Sequence, residues 1–340
     1  MNKRLPILPV FGGLLILLLG SAFLSLAVGQ YGVLTPAAFL RLLASDSPDP
    51  GLWNPVLWNI RLPRLLLGFF AGISLGLAGM LVQALFRNPL AEPYLLGISA
   101  GAALGAVLAS TFGSALAFLG NWLLSAGAFF GSLLSILIIL NLAAFARPIS
   151  TDRLLLAGIA ISGLLQAIAT LILLQGSPHR MREILFWLLG SLGNRGMEAI
   201  PAFAILSGAG ILAAALLIRP LNLLAAGEEA ARALGLSVSA MRWTIALLAA
   251  LLAATTTAAC GIIAFVGLLV PHIGRMLVGP DHRRLFPACL LIGPLLLLLS
   301  DLAARLLFPG QEIPISIVTG AIGCLVFLSI LLPGRQSAIR

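Results

Sequence analysis

The amino-acid sequence predicts an all-α polytopic membrane protein with about ten transmembrane helices and additional short helices on the cytoplasmic side. Hydrophobic residues make up 60% of the 340 residues and charged residues only 9%, and the mean hydropathy is +1.12. In soluble domains about a quarter of the residues are charged. Charges, prolines and clusters of glycine, serine and asparagine also divide the chain into segments close to the ~20 apolar residues that cross a bilayer. The expected solvent of this protein is therefore lipid.

These divisions give the positions of the predicted helices. They lie near residues 9–29, 62–85, 94–110, 121–145, 153–175, 197–218, 242–259, 263–277, 285–305 and 313–332. The charge-free stretch of residues 93–146 is too long for one helix, so we divide it near residues 110–114 and 120–121. The 263–277 segment is short and contains Pro271, which predicts a broken or half-length helix. The first apolar run is longer than that of a signal peptide, so we expect an uncleaved helix.

The distribution of positive charge predicts the orientation, because cytoplasmic loops carry an excess of lysine and arginine. With the N-terminus inside, the larger share of these residues falls on the cytoplasmic face. These are Lys3, Arg4, Arg87, Arg147, Arg153, Arg219, Arg232, Arg242, Arg275, Arg283, Arg284, Arg335 and Arg340. The opposite face holds Arg41, Arg61, Arg64, Arg180, Arg182, Arg195 and Arg305. Both termini are predicted to be cytoplasmic.

Residues that could carry chemistry are too few for several classes of function. Lys3 is the only lysine, so no lysine follows the glycines of a phosphate-binding loop, and any ATP must be bound by another polypeptide. Cys260, Cys289 and Cys324 lie far apart in apolar runs, which indicates neither a disulfide framework nor a metal cluster. The arginines form no basic stripe of the kind that binds nucleic acid. We therefore expect no catalytic site, no bound cofactor or metal, and no nucleic-acid partner.

Glycines recur at four-residue spacing in three places. They are Gly68, Gly72 and Gly76, then Gly97, Gly101 and Gly105, then Gly127 and Gly131. This spacing lets helix backbones approach closely in lipid. We favour packing within the bundle over a subunit interface as its explanation.

One ionisable residue supports a second functional hypothesis. A carrier coupled to protons or sodium usually needs such a residue near the midplane of the membrane, and Asp301 is the candidate. It lies one helical turn before Arg305, and an i,i+4 ion pair at the membrane interface is the favoured explanation. A stand-alone secondary carrier or channel that uses Asp301 remains the alternative function.

The loop at residues 221–236 is the most informative polar stretch. Gly227 interrupts the chain, Glu228 then occupies the positive end of a new short helix, and Arg232 is spaced to pair with it at i,i+4. Gly235 ends that helix. Two short helices with apolar faces result, and they cannot span the membrane. Their faces are predicted to lie on the membrane surface or in a groove of a partner protein, and the missing lysine favours an ATPase as that partner.

Ordered motifs along the whole chain resemble the cobalamin, haem and iron-siderophore permeases of type II ABC importers. They are Arg61-Leu-Pro-Arg64, Gln83-Ala-Leu-Phe-Arg-Asn-Pro-Leu-Ala-Glu-Pro93, Leu156-Ala-Gly158, Trp187-Leu-Leu-Gly190, Ala231-Arg-Ala-Leu-Gly235, Gly261-Ile-Ile-Ala-Phe-Val-Gly-Leu-Leu-Val-Pro-His272 and Asp281-His-Arg283. The resemblance implies one permease domain over residues 1–340 in the bacterial inner membrane, with a coupling loop at 219–241 and a periplasmic segment at 176–196. It implies transport of a metal chelate without an ATPase site of its own.

The resemblance also implies partners and sites. The partners are two ABC ATPase subunits that hold ATP and Mg, a periplasmic substrate-binding protein, a second permease copy or a paralogue, and membrane lipid. The ATPase-coupling residues would be Leu223, Gly227, Glu228, Arg232 and Gly235. Arg61, Arg64 and Arg305 would dock the binding protein. The gate and pathway residues would be Asn88, Leu90, Thr151, Asp152 and Gln166.

Two questions stay open at the level of sequence. The family scaffold serves siderophores, haem and cobalamin alike, and we lean towards iron chelates only because that group is the broadest. The last helix carries Leu325 where family members usually have a proline, so a bend expected there is absent and the helix should be straighter.

Overall fold

The computed structural model describes residues 7–29, 32–36, 50–145, 150–193, 195–308 and 310–331, and the described chain is almost entirely helical. The α-helices, numbered in chain order, are α1 (Ile7–Ala27), α2 (Pro50–Pro55), α3 (Leu62–Phe86), α4 (Ile98–Phe112), α5 (Leu123–Phe145), α6 (Thr151–Leu174), α7 (Pro178–Leu188), α8 (Ile200–Leu216), α9 (Ile218–Ala225), α10 (Glu228–Ala233), α11 (Val238–Cys260), α12 (Val266–Val278), α13 (His282–Leu306) and α14 (Ile315–Leu331). Shorter turns are the π-helical Val56–Arg61 and the 3₁₀ segments Pro93–Leu96, Gly113–Trp122 and Met197–Ala199. A two-residue antiparallel pair, Val28–Gly29 with Gly32–Val33, follows α1.

Apolar helices lie at all ten predicted positions. Seven stretches are long and apolar enough to cross a membrane: Ile7–Ala27, Trp53–Phe86, Leu123–Phe145, Thr151–Leu174, Met197–Leu216, Val238–Cys260 and His282–Leu306. Three shorter apolar helices, Ile98–Phe112, Val266–Val278 and Ile315–Ser329, complete the set. The predicted class of a helical polytopic membrane protein is confirmed. The number ten is approximate, because the three shorter helices fall below a full span. The charges at both termini, with Arg41 and Arg147, lie outside the described residues.

The second predicted helix begins earlier than the sequence indicated. Its apolar run starts at Trp53 and passes through a π-helical turn into α3. Pro63 lies in the first turn of α3, directly after the π-helical turn Val56–Arg61. As a result Arg61 and Arg64 lie on a continuous helical stretch.

α3 is the central helix of the bundle, and glycines allow its neighbours to approach. The hydrophobic window of its span is 78% buried, against 11% for α1 and for α6. A Cβ atom added at Gly72 would lie 2.5 Å from the carbonyl carbon of Gly293 in α13. Gly101 and Gly105 of α4 meet the backbone of α5 at Gly131 and Gly127 in the same way. The prediction that the glycine spacing serves packing within the bundle is confirmed.

The short apolar helix α12 is a half-length helix, as Pro271 predicted. It contains Pro271 and follows a non-helical segment that separates it from α11. Gly261 begins this segment at φ +75°, and Phe265 ends it at φ +67°. A side chain rarely adopts the left-handed region, so the contacts of Phe265 must hold it there.

The last helix, α14, continues through Leu325 without interruption. Gly323, at the centre of α14, lies directly against the ring of Phe265. Phe327 lies on the same side, with its ring centroid 6.5 Å from that of Phe265. Phe265, with its positive φ, is therefore in contact with α14, the helix that carries Leu325 in place of the family proline.

Candidate functional site

The coupling loop folds as the sequence predicted, into two short helices separated by Gly227. Gly227 takes φ +124°, which breaks the chain between α9 and α10. At the end of α10, Gly235 has φ +83°; its N–H donates to Arg232 O at 2.9 Å, and Leu236 N–H donates to Ala231 O at 2.9 Å. This pair of bonds is the Schellman arrangement that ends a helix on glycine.

Glu228, the first residue of α10, forms ion pairs with three arginines from different parts of the chain. Its carboxylate lies 3.1 Å from Arg232, which confirms the predicted i,i+4 pair, and 2.6 Å from Arg242 at the start of α11. Arg87, in the left-handed C-cap of α3, lies 3.6 Å away. We call these four residues the Glu228 cluster. Glu228 is 27% exposed and Arg232 58% exposed, whereas Arg242 is 11% exposed, so water screens the Arg232 pair more than the Arg242 pair.

The apolar faces of α9 and α10 do not point outwards, and this part of the prediction is wrong. Leu221, Leu224 and Ala231 are buried in the main hydrophobic core of the chain. The bundle itself satisfies these faces, because the loop folds back beneath α3 and α13 instead of projecting from them. The loop leaves exposed several alanines, the charged residues Glu229 and Arg232, and one large apolar side chain, Leu234, which is 67% exposed.

Asn222 of α9 ties the coupling loop to α13. Its amide nitrogen donates to the Asp281 carboxylate at 2.7 Å, and its oxygen accepts from His282 N–H at 3.0 Å and lies 2.8 Å from His282 Nδ1. Asp281 also caps α13 by accepting from Arg283 N–H at 2.9 Å. This backbone bond and the Asn222 bond together lower the pKa of Asp281. Asn222 belongs to the loop at residues 221–236 and Asp281 to the motif Asp281-His-Arg283, but nothing in the sequence indicated that these two segments are in contact.

At the other end of α3 lies a second charged group, which we call the arginine cluster: Arg61, Arg64, Asp301, Arg305 and Glu312. Asp301 is 1% exposed and lies between Arg64 Nε at 2.8 Å and Arg305 Nε at 3.0 Å. A second nitrogen of Arg64 lies 2.8 Å from Glu312. The predicted i,i+4 pair of Asp301 with Arg305 is confirmed, and Arg64 is a further partner that the sequence did not reveal.

Arg61 and Arg305 also cap the C-terminal end of α1. Arg61 donates to Leu26 O at 2.7 Å, Ala27 O at 2.9 Å and Gly32 O at 2.8 Å. Arg305 donates to Val28 O at 3.1 Å. The last carbonyls of a helix have no partner within it, and cations are favourable there. The two guanidinium groups therefore hold the first helix to the rest of the bundle.

The three predicted docking arginines are brought together, yet little of each is exposed: 3% for Arg61 and 5% each for Arg64 and Arg305. They line a cavity of about 300 Å³ together with Asn59, Arg195 and Glu312. The cavity is therefore walled mainly by positive charge. Whether it receives a binding protein stays a prediction.

The predicted gate and pathway residues lie in two places. Asn88 and Leu90 are in the turn after α3, where Asn88 Oδ1 accepts from Leu90 N–H at 2.9 Å and Leu90 is 45% exposed. Thr151 and Asp152 form the first turn of α6, and Gln166 is exposed on the same helix. α6 buries little of its surface within this chain, so its face is available to a pathway or to another subunit. Their roles stay predictions.

A link that the sequence analysis did not foresee joins the turn after α3 to the break before α12. Glu92 accepts from Phe265 N–H at 2.6 Å, and the Tyr94 hydroxyl accepts from Ile263 N–H at 3.2 Å. Ser316 Oγ donates to Ile262 O at 2.5 Å from α14. Burial raises the pKa of Glu92, although the bond from Phe265 opposes that rise. The backbone groups of the break that have no helical partner are thus hydrogen-bonded by side chains, as is required in the interior of a membrane.

Comparison with known proteins gives one consistent answer. A family model described as the FecCD transport family matches residues 15–333. The vitamin B12 import system permease protein BtuC of Klebsiella pneumoniae is 37% identical over 329 residues, covering 95% of this chain and 93% of the relative. The hemin transport system permease protein HmuU of Yersinia pestis is 38% identical over 339 residues, with 99% of each chain covered. A solved inward-facing conformation of a metal-chelate type ABC transporter superposes with a TM-score of 0.83 at 31% identity, covering 95% of this chain and 98% of the other.

Proposed function

The chain belongs to the FecCD transport family and is a permease subunit of an ABC importer, and we propose that it passes a bulky metal chelate, fed by a binding protein and driven by separate ATPase subunits. The relatives include permeases named for vitamin B12 and for haemin at nearly equal identity. Both are large metal complexes with a ring system around the metal. The shared chemistry of these cargoes is a preassembled chelate, and siderophores complete the class.

The single observation that carries the ATPase part of the proposal is the surface of the coupling loop. Its two helices are fixed to the bundle by buried Leu221, Leu224 and Ala231. What remains outside is a surface of alanines with Glu229 and Arg232, from which Leu234 projects as the one large exposed apolar side chain. A large apolar side chain on such a surface fits a pocket on a partner, where such anchors carry most of the binding free energy.

The test of this contact is copurification with the ABC ATPase encoded beside the permease. Leu234→Arg should reduce recovery of the ATPase at least tenfold, because it places a charge in the proposed pocket. Met276→Arg is the matched control, since Met276 is 65% exposed and also lies near a helix end. Equal loss in both variants, or no loss in Leu234→Arg, would remove the loop from the ATPase contact.

For the binding protein, the support is the cavity walled by Arg61, Arg64 and Arg305. A carboxylate from a binding protein would be attracted to this cavity, and charge complementarity of this kind mainly raises the association rate. Asn59→Glu tests it by adding an acid to the cavity wall without removing any arginine. It should slow capture of the binding protein at low salt, whereas Asn59→Gln should not.

The pathway itself is assigned to α6 with the turn after α3. Gln166 is exposed on α6. The predicted cytoplasmic end of the pathway would be formed by Asn88 and Leu90, in the turn after α3, and by Thr151 and Asp152, in the first turn of α6. The gate would open when the ATPase subunits close and push on the coupling loop. Proteoliposomes that contain the permease, its ATPase and the binding protein should take up cyanocobalamin or haemin only when ATP is present. Uptake against a gradient by the permease alone would sink this proposal.

The alternative of a stand-alone carrier finds little support in the geometry. Asp301 is held between Arg64 and Arg305 at 1% exposure. A carboxylate that exchanges protons or sodium with water needs access to water in at least one state. Around Asp301, the guanidinium groups of Arg64 and Arg305 occupy the positions where water would have to reach the carboxylate, and they act as structural partners.

A further inference from the structure

A second cavity, unrelated to the coupling loop or the gate, opens between α5, α8 and α11. Its volume is about 230 Å³, and aromatic side chains form much of its wall: Trp122, Phe129, Phe130 and Phe203. Phe130 is 67% exposed and Trp122 41% exposed, so the wall continues onto the outer surface of the bundle. In a membrane protein that surface faces lipid.

One basic side chain, Arg195, contributes to the wall of this cavity. Arg195 Cζ lies 5.6 Å from the centre of the Trp122 ring, and a guanidinium nitrogen of Arg195 donates to Ser125 Oγ. Ser125 in turn donates to Ala258 O of α11 at 2.5 Å. The guanidinium is therefore held in place by groups from two helices. Tryptophan beside arginine is typical of the membrane interface, where both can keep a polar end in the headgroup region.

Arg195 also lines the neighbouring cavity that contains the arginine cluster. One guanidinium thus stands between an apolar cavity on the lipid side and a cavity walled by Arg61, Arg64 and Arg305 on the other. A ligand that fits both has an apolar chain at one end and a negative charge at the other. The apolar cavity lies just below the ~300–1,000 Å³ of sites for drug-sized molecules, and this volume suits one unbranched chain better than a ring system.

We propose that the aromatic cavity binds an anionic phospholipid, with part of one acyl chain between Trp122 and Phe203 and the phosphate beside Arg195. Guanidinium groups bind phosphate through paired, charge-assisted hydrogen bonds. A neutral zwitterionic lipid offers the same chain but carries a compensating cation, so the arginines favour phosphatidylglycerol over phosphatidylcholine. This site does not depend on the transported chelate or on the ATPase.

The test uses the tryptophan that lines the cavity. The full-length protein in detergent micelles is titrated with phosphatidylglycerol whose acyl chains carry bromine, which quenches nearby tryptophan fluorescence. Brominated phosphatidylcholine and a brominated free fatty acid are titrated in parallel. The signal is the quenching of the protein minus the quenching of its Trp122→Phe variant. This subtraction removes the contribution of the other four of the five tryptophans in the chain. Half-maximal quenching should need at least tenfold less phosphatidylglycerol than phosphatidylcholine.

Variants separate the charge from the cavity. Arg195→Gln should reduce the tenfold preference to less than threefold, and Arg195→Lys should retain more of it because the charge is kept. Ala202→Phe, which fills the cavity wall, should weaken quenching by both phospholipids. Arg182→Gln is the matched control, since Arg182 is exposed on α7 and does not line the cavity.

Three outcomes would overturn the proposal. They are equal quenching by the two phospholipids, a preference that survives Arg195→Gln, and quenching by the fatty acid with none by phosphatidylglycerol. If Arg195→Gln fails to fold, the comparison of Ala202→Phe with the unmodified protein still decides whether the chain enters this cavity.

Discussion

The arginine cluster and the Glu228 cluster lie at opposite ends of α3, roughly 37 Å apart at ~1.5 Å per residue over the 25 residues of that helix. Both bring arginines together around a carboxylate. In the arginine cluster the central carboxylate, Asp301, is 1% exposed, whereas Glu228 is 27% exposed. The same chemistry therefore operates in two different dielectric surroundings.

Burial decides what each cluster can do. A buried ion pair is expensive to break, because removing one partner leaves an uncompensated charge away from water. An exposed pair contributes little, and water replaces it readily. The arginine cluster is thus suited to holding α1, α3 and α13 together without movement. The Glu228 cluster is more exposed, so Arg87 and Arg232 can exchange partners at smaller cost, as the proposed role of the loop would need.

Asp301→Asn should have the largest effect on stability. The substitution leaves Arg64 and Arg305 facing each other without their shared counter-charge, and breaking a buried pair in this way costs about 3–5 kcal/mol. Thermal unfolding of the purified protein in detergent measures the loss. The comparison between the clusters fails if Glu228→Gln lowers the unfolding temperature as much.

Glu312→Gln is the internal control for this experiment. Glu312 contacts Arg64 but is 43% exposed, so its removal should cost about 1 kcal/mol or less. A ranking with Asp301→Asn well above Glu312→Gln would locate the effect in burial. Equal effects would indicate that net charge alone matters.

Arg61→Gln should have the next largest effect. Arg61 donates to two carbonyls at the end of α1 and to Gly32 O in the strand pair that follows, and hydrogen bonds to charged groups contribute about 1.5–3 kcal/mol each in favourable cases. We expect a total loss of about 2–3 kcal/mol, since glutamine keeps part of the bonding. Hydrogen exchange should rise at the end of α1 more than in α3. Uniform exchange across both helices would contradict a capping role, and Arg182→Gln, at an exposed position on α7, serves as the control.

Glu228→Gln should change stability less than Asp301→Asn, because Glu228 is 27% exposed, yet change transport strongly. The carboxylate holds Arg242 at 2.6 Å and Arg232 at 3.1 Å, and these contacts set the position of α10 on the bundle. In proteoliposomes with the ATPase and ATP, uptake of cyanocobalamin or haemin per ATP hydrolysed should fall severalfold. A variant with normal uptake and lower stability would reverse the roles that we assign to the two clusters.

The sequence predicted well those features that depend on local pattern. Apolar length located the ten helices, and Gly227, Glu228, Arg232 and Gly235 were enough to predict α10 with its ion pair and its glycine end. Each of these depends on residues within one or two helical turns. Pro271 likewise predicted the half-length α12.

Contacts between distant segments could not be predicted in this way. Arg64 pairs with Asp301 across 237 residues, and Glu92 reaches Phe265 across 173. Hydrophobic periodicity does not show which helix ends meet, so the sequence predicted that the apolar face of α9 lies on the membrane surface or in a groove of a partner, whereas Leu221 packs into the bundle. The strain at Phe265 also had no signal, because a phenylalanine gives no indication of a positive φ.

The smallest expected effect concerns Asn222 and Asp281, which join the coupling loop to α13. Bonds from Arg283 N–H and from Asn222 lower the pKa of Asp281 in the folded protein, below the ~3.9 of an unfolded chain. The stability they add is therefore present above that value and is lost as the pH falls through the lower folded pKa. Asn222→Ala should bring the folded pKa back towards its ordinary value. Because Asp281 is exposed, the pH-dependent part should be a few tenths of a kcal/mol.

Denaturation midpoints at neutral pH and near pH 3 measure this term, and an Asp281→Asn background isolates it. Asn222 also bonds His282 N–H, and that contribution should persist in the background, because it does not require the carboxylate. The pH-dependent difference should disappear there. If Asn222→Ala shows the same pH dependence with and without Asp281, the bond from Asn222 does not set the pKa of Asp281. The contrast with the buried arginine cluster, where one carboxylate is expected to govern the stability of three helices, would then depend on Glu228 alone.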